Sequence, residues 1–262
     1  MNFSENFLPG WHYEIKAMRF LPWWRGRRTS DPAGNRLGRF RKVLEAAQCV
    51  AVYQPSLTAA RLDTKKALRR ITDIRSVLAR IGVYTLEQVR VRPRRQIGTP
   101  VFFKSPLSLG ATPNLYWNSA GCAVLQTDTR GYRALFIRTG VDEGLLSSME
   151  RDGLWHRHGA PMFEHLVGMD GELLAWECET HCGLHIVEEN AVFEIIEGEL
   201  LLTSLTDLVQ PTIQMRTGWT ARIDTEMCDC GRPGPRLMGI HEVSWNGRVR
   251  QKLESRAAAA HA

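Results

Sequence analysis

Cys178-Glu-Thr-His181-Cys182-Gly-Leu-His185 and Cys228-Asp-Cys230-Gly-Arg-Pro-Gly-Pro-Arg236 are the two stretches on which the reading of this chain turns. Between them they hold four of the six cysteines and two of the eight histidines. Thiolate and imidazole are the donors that tetrahedral zinc selects. Cys178 with His185 supplies one hook of such a site, and Cys228 with Cys230 supplies the other. Four ligands close a structural site, so Cys182 and His181 are spare donors, and the sequence leaves open whether either replaces a member of the set. The Cys-x-Cys spacing is tighter than the common two-residue gap, so no standard zinc-finger pattern applies. The same cysteines would also serve as small, reduced hydrophobes in a core. A disulfide framework fits less well. The chain is long for a stapled domain and shows no secretory signal, which makes a reducing cytoplasm the expected location.

A chain of 262 residues with 44% hydrophobic content can bury a full core in one large or two small domains. No apolar run approaches the roughly 18 residues of a membrane span, so no membrane partner is expected. Charge is unevenly divided: residues 1–110 carry 21 Lys+Arg against 7 Asp+Glu, a net +14, which leaves −8 for 111–262. A basic half points to polyanionic partners, and Trp23-Trp24-Arg25-Gly26-Arg27-Arg28 mixes aromatics with arginines as single-strand nucleic-acid binders do. A solvated surface arm accounts for the same pattern.

Pro9-Gly10, Pro22, Gly26, Pro32 and Gly34 make residues 1–36 a basic Trp/Arg arm. Residues 37–110 form a basic helical region. Phe40, Val43, Leu44 and Ala47 recur at helical spacing, Pro55 closes that helix, 58–70 reads as a second helix, and 73–90 as two short helical turns broken at Gly82. Pro- and Gly-rich residues 92–115 mark the boundary. Residues 111–250 are mostly β: strands at 121–126, 133–138, 172–178, 191–196 and 199–204, with a tight connection at Gly198-Glu199 and one helix over 142–150. Residues 251–262 read as a disordered tail. The expected fold class is α+β, a basic helical N-terminal region followed by a β-rich subdomain with a zinc clip.

Trp176-Glu-Cys178, Gly183-Leu-His-Ile186, Glu194-Ile-Ile196, Gly198-Glu-Leu200, Leu202-Thr-Ser-Leu205, Pro211, Arg216-Thr-Gly218, Cys228-Asp-Cys-Gly-Arg232 and Pro235-Arg236 follow one another in that order. This string resembles the phenylacetate-coenzyme A ligase branch of the adenylate-forming (AMP-binding) enzymes, over about residues 160–245. Phe40-Arg-Lys-Val-Leu-Glu-Ala46, Asp73-Ile-Arg-Ser76 and Val83-Tyr-Thr85 echo the helical start of those ligases. The resemblance implies activation of a carboxylic acid with ATP and magnesium, then transfer of the acyl group to coenzyme A or a carrier protein.

Several positions depart from the family. Its phosphate loop needs backbone N–H groups and hydroxyls around the phosphates, and Asn118-Ser-Ala-Gly121, the nearest stretch, lacks the threonines and the lysine. The segment that touches adenine and magnesium is represented by Leu166-Val-Gly168-Met-Asp170-Gly-Glu172, which makes Asp170 or Glu172 the candidate metal-binding acid and Gly168 a candidate cofactor contact. The Arg-Thr-Gly-Asp turn, whose aspartate accepts the ribose hydroxyls, reads Arg216-Thr217-Gly218-Trp219. Arg216 is then the candidate catalytic cation, and Thr217 and Gly218 are candidate cofactor contacts, but an indole accepts no hydrogen bond. That loss costs roughly 2–3 kcal/mol. The small lid domain with its catalytic lysine is expected to be missing. The expected function is therefore a shortened acyl-adenylating protein with weak or no ligase activity, or an accessory subunit whose partner supplies the missing parts. The alternatives are an active ligase on a reduced frame and a zinc-stabilised nucleic-acid or polyanion binder. His156, His158, His165 and Cys122 read as structural, and no Gly-x-Ser-x-Gly elbow occurs.

Overall fold

The computed structural model describes residues 32–89, 122–127, 132–141, 144–159 and 161–242. The Trp/Arg arm up to residue 31, the boundary from 92, the Asn118–Gly121 stretch and the expected tail lie outside them.

The first described element is α1 (Pro32–Ala47), with proline at its first position, where no intrahelical N–H is needed. Phe40, Val43, Leu44 and Ala47 are fully buried, so the apolar stripe seen in the sequence is the packed face. Pro55 does not close this helix. It starts the next, α2 (Gln54–Ala59). The expected helix over 58–70 is two pieces, because the Thr64 hydroxyl accepts the Ala67 N–H and begins α3 (Lys65–Arg69). Asp73 caps α4 (Ile74–Leu78) in the same way, and α5 (Leu86–Val89) follows beyond Gly82.

Among the described residues, ten strands form two sheets. The larger has the order β1 (Cys122–Thr127), β2 (Tyr132–Gly140), β3 (Met162–Val167), β4 (Leu173–Glu177), β5 (Leu184–Ile186), β10 (Arg236–Glu242) and β9 (Trp219–Asp224). β2 and β3 are parallel, joined over α6 (Ser148–His158), and every other pair in this sheet is antiparallel. The helix expected over 142–150 thus begins only at Ser148. The Ser147 hydroxyl and the Glu150 carboxylate cap each other's backbone N–H there, a box that fixes the start. The smaller sheet joins β6 (Ala191–Ile196), β7 (Glu199–Ser204) and β8 (Met215–Arg216). Glu197 and Gly198, both at positive φ, make the β6–β7 turn.

The helices and the β region share one core. Tyr53, Tyr84, Leu78, Leu166, Leu200, Ile213 and Trp219 belong to a single buried cluster. Tyr84 bridges to Met215, and the buried Tyr53 hydroxyl donates to the Pro211 carbonyl at 2.7 Å and accepts the Ile213 N–H at 3.3 Å. The molecule is mixed helix and sheet. Among the described residues no helix is long and apolar enough to cross a membrane.

Candidate metal centre

β5 is three residues long, about 7 Å, and lies between β4 and β10. The connection from β4 to β5 and the one from β9 to β10 can therefore reach each other across it. Each carries a knuckle built in the same way. The Cys178 carbonyl accepts the His181 N–H at 3.0 Å, and the Cys228 carbonyl accepts the Gly231 N–H at 2.7 Å. The closing residue is left-handed in both, His181 at φ 52° and Gly231 at φ 76°. Each knuckle presents its cysteine inward.

Cys178, His185, Cys228 and Cys230 converge there, with ligand atoms all within 4.8 Å of one another. Cys178 Sγ lies 3.8 Å from Cys228 Sγ, and Cys230 Sγ lies 3.4 Å from His185 Nε2. Two sulfurs at tetrahedral Zn–S distance from one ion sit about 3.8 Å apart, so the donors and their spacing fit a metal ion such as zinc. Three of the four side chains are buried, the donor set is complete at four, and bound zinc would supply a structural cross-link between the knuckles.

The hydrogen bond to Cys230, then burial, pushes the Cys178 thiol up to about 11, while the same bond pulls the Cys230 thiol down. The Thr180 hydroxyl bridges Cys178 and Cys228 at 3.1 and 3.4 Å.

The two spare donors are occupied elsewhere. Cys182 donates to the Thr180 carbonyl. His181 turns its Nδ1 to Glu177 Oε1 at 2.9 Å and stacks on Phe163. Glu177 is buried and also accepts from Arg151 at 2.9 Å and from the Glu164 backbone N–H, while Arg151 pairs with the buried Glu164 too. Burial alone would raise the Glu177 carboxyl, yet His181 and Arg151 hold it at about 2. Sequence reasoning missed this network, whose only signal was paired charge in otherwise apolar strands.

The candidate nucleotide-site residues fall into two separate places. Gly168 opens the β3–β4 turn, donating to the Glu172 carbonyl at 2.9 Å. Asp170 closes that turn on the Glu172 N–H and accepts the Thr206 hydroxyl at 2.9 Å. Glu172 accepts from Asn190, and burial with the Asp170 charge pushes its carboxyl up. Arg216 pairs with Glu199 and with Glu197. Thr217 donates to the Leu200 carbonyl, and Gly218, at φ 77°, donates to Glu199. Trp219 is buried in the main core. Asp170 thus meets the chain just beyond the end of β7 and Arg216 meets it at the start, with about 17 Å of strand between.

No family model matches this chain, and no curated protein matches it. Among solved structures it is similar to 2-hydroxyisobutyryl-CoA ligase with 2-HIB-AMP and CoA in the thioesterification state: TM-score 0.51 and 13% identity, covering 82% of this chain and 69% of that one. The fold is shared with an acyl-CoA ligase. An open conformation of the same ligase aligns at TM-score 0.35 and 19% identity over 42% of this chain and 27% of that one. The chain thus spans about a quarter of that open form's length. At these identities the likeness is one of fold.

Proposed function

We propose that this protein is an acyl-adenylating-ligase-like subunit of the phenylacetate-coenzyme A ligase type. Its Cys178/His185/Cys228/Cys230 centre holds structural zinc, and it has weak or no ATP-dependent ligase activity of its own. The observation that carries the reading is the separation of Asp170 from Arg216, each already bonded within the fold, together with the convergence of four Cys/His donors elsewhere. Phosphoryl and adenylyl transfer depend on cations and acids converging on one nucleotide. The buried Trp219 adds to this, because no carboxylate stands where the resemblance puts the ribose acceptor. Zinc then serves the fold, and the subunit acts with a protein partner.

ATP–pyrophosphate exchange with a panel of aryl and alkyl acids tests this. Exchange no higher than a zinc-only blank is expected. Robust exchange that falls in an Asp170→Asn or Arg216→Ala variant would overturn the reading in favour of an active ligase using ATP and magnesium on this frame.

A further inference from the structure

Arg236 opens β10 directly opposite the metal-centre residue His185. Its side chain is 7% exposed, and it reaches two separate stretches of chain, Asp224 to Glu226 and Cys182. Nη2 donates to Asp224 Oδ2 on β9 at 3.1 Å and to the Glu226 carbonyl at 3.5 Å, and Nη1 donates to the Cys182 carbonyl at 3.4 Å. Nε is also buried, yet it has no hydrogen-bond partner among the described residues. A buried orphan N–H costs on the order of 1–3 kcal/mol. The Nη2 bond to the Glu226 carbonyl places the guanidinium two residues before Cys228, and the Nη1 bond to the Cys182 carbonyl places it next to the first knuckle. A neutral thiol is a poor acceptor for that donor, whereas a metal-bound thiolate is a strong one.

We propose that Arg236 is the positioning residue of the metal centre: its Nε–H is held for the Cys228 thiolate of the loaded site, while its Nη groups tie both knuckles to β9. This rests on the metal reading of the four residues. Three thiolates and a dication leave one net negative charge in a buried place. The guanidinium offsets it, and its fixed fork sets the direction from which Cys228 approaches the ion. Arg232, two residues past Cys230, pairs with Glu179 of the first knuckle and lies over the Trp176 ring.

The test is zinc competition against a chromophoric chelator on the full chain, with wild type, Arg236→Gln and Arg236→Lys. Both variants should bind zinc roughly 10–100-fold more weakly, the lysine included, because an ammonium cannot serve Cys182, Asp224 and Cys228 from one fork. In cobalt-substituted protein the sulfur-to-metal charge-transfer band should shift to lower energy in Arg236→Gln, since an unsupported thiolate is more easily oxidised. A merely structural arginine would lower Tm and leave that band in place. Zinc affinity within twofold of wild type, or an unmoved band, overturns the proposal. Wild-type protein that binds no zinc overturns the metal reading instead. Should the variants not fold, wild type loaded with cadmium-113 decides. The Arg236 Nε–H proton should show a through-hydrogen-bond coupling to the metal, and a visible, uncoupled resonance refutes the role.

Discussion

Cys178 Sγ and Cys228 Sγ stand 3.8 Å apart although 50 residues separate them in the chain. Each lies at the first position of a turn closed by its own carbonyl, so backbone hydrogen bonds help to set the spacing.

The double variant Cys228→Ser with Cys230→Ser should therefore lose zinc without losing the rest of the β region. Structural-metal binding free energy is folding free energy, so Tm should fall by on the order of 10 °C and become insensitive to a chelator that lowers the wild-type value. Metal analysis alongside the melt checks this. Equal zinc in variant and wild type would remove the site.

His165 sets a pH dependence. It is fully buried against Phe136, and burial drives its imidazole down to about 3, against a minor opposing pull from the Glu177 charge. The unfolded chain takes up this proton below about pH 6.5 and the folded chain does not. The unfolded state then binds more protons, and stability falls on acidification from 6.5 towards 3, by about 1.4 kcal/mol per pH unit. His165→Phe should flatten that limb. Urea midpoints at pH 7 and pH 5, both proteins carrying the same zinc, isolate the effect because acid release of the metal is common to both. Parallel pH slopes would refute it.

Tyr53 fastens the helices to the β region. Tyr53→Phe removes a buried donor–acceptor pair to Pro211 and Ile213 while leaving the edge-to-face contact with Tyr84. A loss of about 1–3 kcal/mol is expected, read by urea denaturation. An unchanged midpoint would mean that the hydroxyl is not satisfied by those groups.

How much of this was legible in sequence depends on whether a residue's own chemistry or the topology decides the outcome. The convergence of the four Cys/His donors was legible because cysteine and histidine are few and selective. β6 and β7 were legible because apolar runs end at Glu197-Gly198, a turn that needs positive φ. β3 was not, since both its faces are buried and it carries Glu164 and His165, leaving no alternation to read. The start of α6 was written in Ser147 and Glu150, three residues apart. The separation of Asp170 from Arg216 depends on which strands pair, and nothing local to either residue encodes that.

Gly183 tests whether the sheet and the metal centre are one mechanical unit. It sits at φ 82° between Cys182 and β5, and a Cβ there would press on the Leu237 carbonyl of β10 and on the Met238 sulfur. The methionine can move aside. The carbonyl cannot, because Leu237 is paired with Leu184 on β5 and with Ile223 on β9. Gly183→Ala must then push β5 away from β10, and His185 on β5 moves with it, out of reach of Cys228 and Cys230. Left-handed strain and overpacking together should cost about 2–4 kcal/mol, and zinc affinity should fall along with Tm. The comparison with Gly198→Ala is the control, since Gly198 has a similar φ of 79° but open space around it. That variant should lose stability through backbone strain alone and keep wild-type zinc affinity. Equal zinc affinity in both variants would show that the knuckles hold their geometry independently of the β5–β10 pairing.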